Sequence, residues 1–247
     1  MMNKIILSLS ILFLSCELYA QSDRTPTPAE RAAIDRVVHA VMPVVQAFAN
    51  DNWELEDGGP DEPEDYVVQK HPDVVMGVAP FSDLKFSVKQ GSTLWNTQVK
   101  PLLEKIENPA NTPHNDKEAE AYDKLLAEFQ NLSTITIEIH VNQKNINVNP
   151  LKGGKGDLKI PGCYFSYRTA TDPNDSQTTN YVLVFGNWKN AKLKYYSNAP
   201  SYEFSFMHAK GSPFIENIVI IMKGNEKHIQ ETLKEVDWTK INKGLTL

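Results

Sequence analysis

The chain has 247 residues, a formal net charge of −6 at pH 7 and 41% hydrophobic residues. An acidic chain lacks the positive footprint that a phosphate backbone requires, which argues against non-specific nucleic-acid binding. A chain of this size can fold on its hydrophobic core alone, because larger domains bury a greater share of their surface. We therefore expect a globular protein that has no nucleic-acid partner.

The first twenty residues have the three parts of a secretory signal. Lys4 supplies the charged start, Ile5–Leu14 the apolar run, and Ala20 the small residue before the cut. We predict a signal peptide over residues 1–20, a flexible leader over residues 21–27 and a single domain over residues 28–247. The mature protein then begins at Gln21 and is exported, to the periplasm or to the extracellular space.

The same segment leaves a membrane-anchored lipoprotein as the alternative. Cys16 follows Ser15, a small residue of the kind that precedes a lipidated cysteine, although Phe13 stands where a branched aliphatic residue is usual. A transmembrane span is not expected, because a span needs roughly 20 apolar residues and Glu17 closes this run. With Cys16 removed or lipidated, Cys163 has no disulfide partner and is interpreted as a small buried hydrophobe.

The first helix has the clearest local signal in the chain. Thr27 can cap it, Pro28 suits its first position, and Glu30 can bond back to the cap. Pro43 inside the helical pattern predicts a kink or a break there. The face that must be buried is formed by residues at three- and four-residue steps, namely Ile34, Val37, Val38, Val41, Val45 and Phe48.

Residues 51–65 combine many acidic side chains with glycine and proline, which predicts a solvated loop. A calcium site is the alternative, but the spacing does not fit the EF-hand pattern, so we predict no metal. Further helices are expected over residues 92–108 and 116–131, the second capped by Asn115. Its apolar stripe is predicted to face the core, and consists of Tyr122, Leu125, Leu126 and Phe129.

After Ser133 the hydrophobic period changes from helical to alternate. In the first strand, Ile135, Ile137, Ile139 and Val141 share one face, and Thr136, Glu138 and His140 share the other. Further strands are predicted over residues 145–149, 163–168, 181–185, 191–196, 202–206 and 215–222, followed by a closing helix and a last turn near Trp238. Short connections favour antiparallel neighbours.

Helices early and late with strands between them predict an α+β fold. We expect a mainly antiparallel sheet of roughly five to seven strands, mostly after residue 133, with helices packed on one face.

The sequence has no Gly-x-Ser-x-Gly elbow, no His-Glu-x-x-His zinc helix, no Cys-x-x-Cys pair and no Gly-x-x-x-x-Gly-Lys-Ser/Thr loop, so we predict no cofactor. Glu138 and His140 lie side by side on one strand face and offer an acid/base pair. They support the alternative function, a secreted or periplasmic hydrolase that uses carboxylate and histidine chemistry. The favoured hypothesis is a non-catalytic binding or interaction protein of the cell envelope.

Aromatic residues are dense in the second half of the chain. Most are assigned to the core, but Trp188 in the turn 186–190 and Tyr196 on the same strand side as Lys192 and Lys194 are expected at the surface. Exposed aromatic residues on a rigid sheet can bind a ligand or a protein. We therefore name Trp188 and Tyr196 as candidate contacts for a small molecule, a glycan or another envelope protein.

Overall fold

The architecture comes from a computed structural model, which describes residues 23–69, 74–147, 157–172, 175–196 and 199–245. The predicted signal peptide and Cys16 lie outside the described residues. Within the described part, no helix has the length and apolar character needed to cross a lipid bilayer.

The first helix, α1, spans Pro28–Val45 and begins with the predicted capping box. The backbone N–H of Glu30 donates to Thr27 Oγ1 at 3.4 Å, and the backbone N–H of Thr27 donates to the Glu30 carboxylate at 2.7 Å. The helix does not break at Pro43. It ends two residues later, at Val45, and a 3₁₀ turn over Gln46–Phe48 follows.

An ion pair fastens the segment before α1 to the first turn of that helix. Arg24 Nη2 lies 2.5 Å from Glu30 Oε1, and the Glu30 side chain is buried. The hydrogen bond from Arg24, together with those from Thr27, lowers the pKa of Glu30 from 4.5 to about 2 and outweighs the opposing effect of burial. The ionised carboxylate therefore stabilises the folded chain.

Replacing Glu30 with glutamine is expected to destabilise the protein by about 1 to 2 kcal/mol at pH 7, a figure reduced because Arg24 is half exposed to screening water. Because the pKa of Glu30 is lowered, its carboxylate stabilises the folded state fully above pH 4.5, and this stabilisation is lost as the pH falls towards 2. The difference between the two proteins in urea unfolding should shrink over that range. Glu128→Gln, on an exposed helix face, is the control and should leave stability unchanged at each pH.

A helical hairpin follows the first third of the chain. It consists of a π-helical turn over Trp95–Val99, the helix α2 over Lys100–Glu107, a 3₁₀ turn over Pro109–Asn111 and the helix α3 over Asp116–Ser133. Asn115 caps α3 as predicted, accepting a hydrogen bond from the Glu118 N–H at 3.1 Å. The predicted apolar stripe of α3 is only half buried, so the hairpin is anchored mainly at the end near the sheet.

Twelve strands occur among the described residues. They are β1 Trp53–Asp57, β2 Val68–Gln69, β3 Gly77–Val78, β4 Leu84–Val88, β5 Thr134–Val141, β6 Asn145–Asn147, β7 Asp157–Leu158, β8 Phe165–Asp172, β9 Asp175–Gly186, β10 Lys192–Tyr196, β11 Ala199–Glu203 and β12 Asn217–Gly224. The main sheet has the order β1-β4-β5-β12-β9-β8-β7, and each neighbouring pair is antiparallel. The predicted α+β fold with a mainly antiparallel sheet is confirmed.

One face of the main sheet is covered by helices, as predicted. They are α1, the helix α4 over Glu226–Glu235 and a final 3₁₀ segment over Trp238–Gly244. Burying each large apolar side chain contributes about 1.5 to 3 kcal/mol. The shared core includes Ile34, Val37, Val41, Phe48, Ile135, Ile137, Leu183, Phe185, Ile218, Ile220, Met222, Ile229, Leu233, Trp238 and Ile241.

The strand β5 has the predicted alternation. Ile135, Ile137, Ile139 and Val141 are buried against the helices, whereas the residues between them are half exposed on the opposite face. The two-residue period read from the sequence therefore assigned the correct face to each side chain of this strand.

The opposite face of the sheet carries a second layer that the sequence did not predict. Strands β10, β11 and β6 form a separate sheet, which packs over β8, β9 and β12 through its own apolar cluster. That cluster contains Ile146, Tyr167, Val182, Val184, Trp188, Phe204 and Val219.

The acidic segment also differs from the predicted solvated loop. Its first part forms β1, the edge strand of the main sheet, in register with β4 through Trp53 and Val88. Trp53 is buried and provides the anchor, while the acidic side chains of β1 remain exposed. A single buried tryptophan thus outweighs the loop-like composition around it.

Candidate functional site

A cleft of about 900 Å³ lies between the helical hairpin and the end of the main sheet. Its walls come from the start of β1, the first part of β5, the turn from β12 into α4, the π-helical turn and the last turn of α3. Ligand pockets in proteins typically have about 300 to 1,000 Å³. We refer to this cavity as the hairpin cleft.

The floor of the hairpin cleft contains a stacked pair of rings. The indole of Trp53 and the imidazole of His228 have centroids 4.8 Å apart and lie within 6° of parallel. Nε2 of His228 contacts the carbonyl oxygen of Phe48 at 2.8 Å. Because a carbonyl oxygen only accepts, Nε2 carries the proton, and in the neutral ring Nδ1 is left as an acceptor.

Asn225 joins the three elements that meet at the cleft. Its carboxamide oxygen accepts from the N–H of His228 at 2.9 Å and so caps α4, while its Nδ2 donates to the carbonyl oxygen of Leu132 at 3.1 Å. Its own backbone N–H donates to the carbonyl oxygen of Thr134 at 3.1 Å. The end of α3, the start of β5 and the start of α4 are therefore held by one residue, through its side chain and its backbone N–H.

The hairpin wall is held to the sheet by a similar contact. The backbone N–H of Leu94 donates to Oδ1 of Asn52 at 3.2 Å, which connects the π-helical turn to the start of β1. Gln98, Gln130 and Asn131 line this wall of the cleft. Carboxamides thus line both sides of the cavity, and those of Asn52 and Asn225 already hold the hairpin, α3 and α4 in place.

Charges around the hairpin cleft are largely balanced by neighbours. Lys85 pairs with Glu56 and Lys223 with Glu138, each with an N···O distance of 3.0 Å. Glu226 accepts from Arg168 at 2.8 Å. Its carboxylate also accepts from the hydroxyl of Tyr181 at 2.7 Å. Lys227 and Glu231 also line the cleft, so its charged side chains have both signs and do not favour a ligand with one strong charge.

The predicted Glu138 and His140 pair lies side by side, with Nε2 of His140 3.6 Å from Oε2 of Glu138. Their side chains are 26% and 40% exposed, and Glu138 is also bound by Lys223. Neither residue lines the hairpin cleft or the smaller groove of about 380 Å³ between α1 and the last 3₁₀ segment. The pair is therefore found in neither described cavity.

Trp188 is not at the surface, contrary to the expectation from its turn position. The side chain is 2% exposed, packs against Phe204 with ring centroids 4.6 Å apart, and donates its indole N–H to the carbonyl oxygen of Phe185 at 3.1 Å. Because that hydrogen bond satisfies the ring nitrogen, the whole indole can be buried in the second layer. The side chain of Tyr196 lies outside the described residues, although its backbone pairs with Ala199.

A buried carboxylate was missed by sequence reasoning. Glu216 is fully buried and accepts hydrogen bonds from the backbone N–H groups of Met207 and His208 and from Nδ1 of His208, at 2.8, 2.9 and 3.1 Å. The backbone N–H of Glu216 donates to Asn142 Oδ1 at 2.8 Å. The only sequence signal was a single acidic residue before an apolar strand. These contacts fix the loop that leads into β12.

Cys163, predicted to be a small buried hydrophobe, packs against the main core but is only partly buried. Burial raises the pKa of its thiol to about 12, which disfavours the nucleophilic thiolate at neutral pH. Across the part of the chain that the structure describes, no group of three or more His, Cys, Asp or Glu side chains is placed to hold a metal ion.

No protein-family model, curated protein or solved structure matches this chain.

Proposed function

We propose that this chain is an exported, non-catalytic binding protein of the cell envelope whose ligand occupies the hairpin cleft. The ligand class that fits best is a saccharide or a similarly hydroxylated small molecule. The observation that supports the proposal is the cleft itself, with a volume of about 900 Å³ and the amide side chains of Gln98, Gln130 and Asn131 in its lining.

The chemistry of the lining supports this ligand class. A hydroxyl group both donates and accepts a hydrogen bond, and so does the carboxamide of Gln98, Gln130 or Asn131. Phe129 and Leu94 supply half-buried apolar surface beside these amides, against which the C–H groups of a sugar ring can pack. The paired state of Lys85 and Lys223 disfavours an anion as the main ligand.

Residues 21–247 should be titrated with cellotriose, maltotriose, chitotriose and mannotriose and followed by isothermal calorimetry. At least one trisaccharide is expected to bind with a Kd below about 1 mM. Replacing Gln130 and Asn131 together with alanine should raise that Kd at least about fivefold, because two hydrogen bonds at about 0.5 to 1.5 kcal/mol each are lost.

The matched control is Lys117→Ala with Asp123→Ala, two exposed positions on the same helix that leave the net charge unchanged. It should bind like the unaltered chain. Equal weakening by both pairs, or no binding of any trisaccharide, would count against the proposal. Cleavage of a trisaccharide during the titration would instead favour the hydrolase alternative.

The proposal of export is supported by the sequence of residues 1–20 and is tested separately. Mass spectrometry of the protein from its native host should find a chain that begins at Gln21. A lipid-modified Cys16 at the amino terminus would replace release with membrane anchoring, and an intact Met1 would refute export.

A further inference from the structure

The second layer ends in a strand that has a neighbour on only one side. Among the described residues β10 pairs with β11 alone, which makes it the edge of the three-stranded sheet. Unpaired edges offer rows of N–H and C=O groups to another strand. The backbone groups of β10 that face outward are therefore those available to a further strand.

The pairing of β11 with β6 and with β10 determines which backbone groups of β10 face outward. The backbone N–H of Phe204 donates to the carbonyl oxygen of Lys144, so on β11 the even-numbered residues point towards β6. Ser201 therefore points towards β10, where its partner is Lys194. Because hydrogen-bonded and non-bonded pairs alternate in an antiparallel ladder, the N–H and C=O groups of Leu193 and Tyr195 face the open edge.

The side chains of these two residues add an apolar surface to that edge. Leu193 is 47% exposed and Tyr195 is 70% exposed. Leu193 lies opposite Tyr202 in the ladder, so its side chain is on the face that packs against the apolar cluster of the second layer. These apolar side chains are therefore exposed beside backbone groups that have no strand partner among the described residues.

The other face of β10 is basic. Lys192 and Lys194 alternate with the apolar residues, and Lys189 is exposed just before the strand. Lys194 pairs with Glu203, which is shared with Lys144. Lys144 and Lys194 thus both pair with Glu203, and Lys192 lies opposite it in the ladder, on a chain whose net charge is −6. Opposite charges across a strand pair stabilise it, and like charges destabilise it.

We propose that β10 binds an extended acidic segment of a partner protein by strand addition. The partner strand pairs with the backbone of Leu193 and Tyr195, places apolar residues on their face, and places acidic residues on the face of Lys192 and Lys194. A second copy of this chain is disfavoured as the occupant, because pairing β10 with itself about Lys194 sets two lysines directly opposite each other. This surface is distinct from the hairpin cleft and does not depend on it.

The test uses uniformly ¹⁵N-labelled residues 21–247 and the acetylated, amidated heptapeptide Thr-Val-Glu-Val-Glu-Val-Thr. Addition of peptide should slow hydrogen exchange at the amides of Leu193 and Tyr195 at least about tenfold and leave the already paired Lys194 amide nearly unchanged. Binding should occur below about 1 mM peptide. The same peptide with N-methylated valine amides should not bind, because those amides would face the backbone of Leu193 and Tyr195.

Lys192→Glu with Lys194→Glu should raise the peptide Kd at least about tenfold. The control, Lys105→Glu with Lys117→Glu, makes the same charge change on the exposed helical hairpin and should leave binding intact. Absence of binding at about 1 mM, equal effects of the two charge reversals, or binding of the N-methylated peptide would overturn the proposal. The proposal would also be overturned if sedimentation showed that the protein self-associates and hydrogen exchange showed that the Leu193 amide is protected without peptide.

Discussion

Replacing Ile137 with aspartate is expected to abolish the folded state at neutral pH. Ile137 is fully buried in the centre of the main sheet, in register with Leu84 on one side and Met222 on the other, both also fully buried. Losing the isoleucine alone costs about 2 to 5 kcal/mol. An unpaired buried charge adds several more, and their sum approaches the 5 to 15 kcal/mol that stabilises a typical domain.

Thr136→Asp is the matched control on the neighbouring residue of the same strand. Thr136 lies on the opposite face, and its ladder partners are Lys85 and Lys223, which suit a carboxylate. The free energy of unfolding in urea of the Thr136→Asp protein should differ from that of the unaltered protein by less than about 1 kcal/mol. A folded Ile137→Asp protein by circular dichroism, or equal losses for both variants, would show that the two faces of β5 are wrongly assigned.

Replacing Gly224 with alanine is expected to produce the second largest loss, about 3 to 5 kcal/mol, from backbone strain and overpacking combined. Gly224 has φ of +121°, and a Cβ atom there would lie 2.0 Å from the carbonyl oxygen of Thr134. That oxygen accepts from the N–H of Asn225. Moving it therefore disturbs the residue that joins the elements of the hairpin cleft.

Gly91→Ala separates the two causes of that loss. Gly91 also has a positive φ, of +85°, but nothing lies within 4 Å of the added Cβ atom. Its cost should be about 1 to 2 kcal/mol, from the left-handed backbone alone. Thermal and urea unfolding of both variants would measure the difference, and equal costs would contradict the close approach of Gly224 to Thr134.

The elements that the sequence predicted well are those set by local chemistry. The capping box at Thr27, the cap at Asn115 and the alternation of β5 each depend on a few consecutive residues, and all three are present. The two-layer arrangement over the sheet was missed, because whether two strands share a sheet depends on pairing between distant segments.

The candidate site was missed for the same reason. Asn52, Asn131 and Asn225 line one cleft although more than seventy residues separate each from the next. Each is unremarkable in its own segment, and only the strand order brings them together. The prediction that Trp188 is exposed was wrong for a different reason. Its turn position suggested exposure, but in the fold the carbonyl of Phe185 accepts the indole N–H and so allows burial.

A crystal structure of residues 21–247 with the tightest-binding trisaccharide tests the proposed role of the hairpin cleft most directly. We predict sugar hydroxyls within hydrogen-bonding distance of the Gln130 or Asn131 carboxamide, and a ring packed against Phe129. A trisaccharide ordered elsewhere on the molecule, with the hairpin cleft unoccupied, would contradict it.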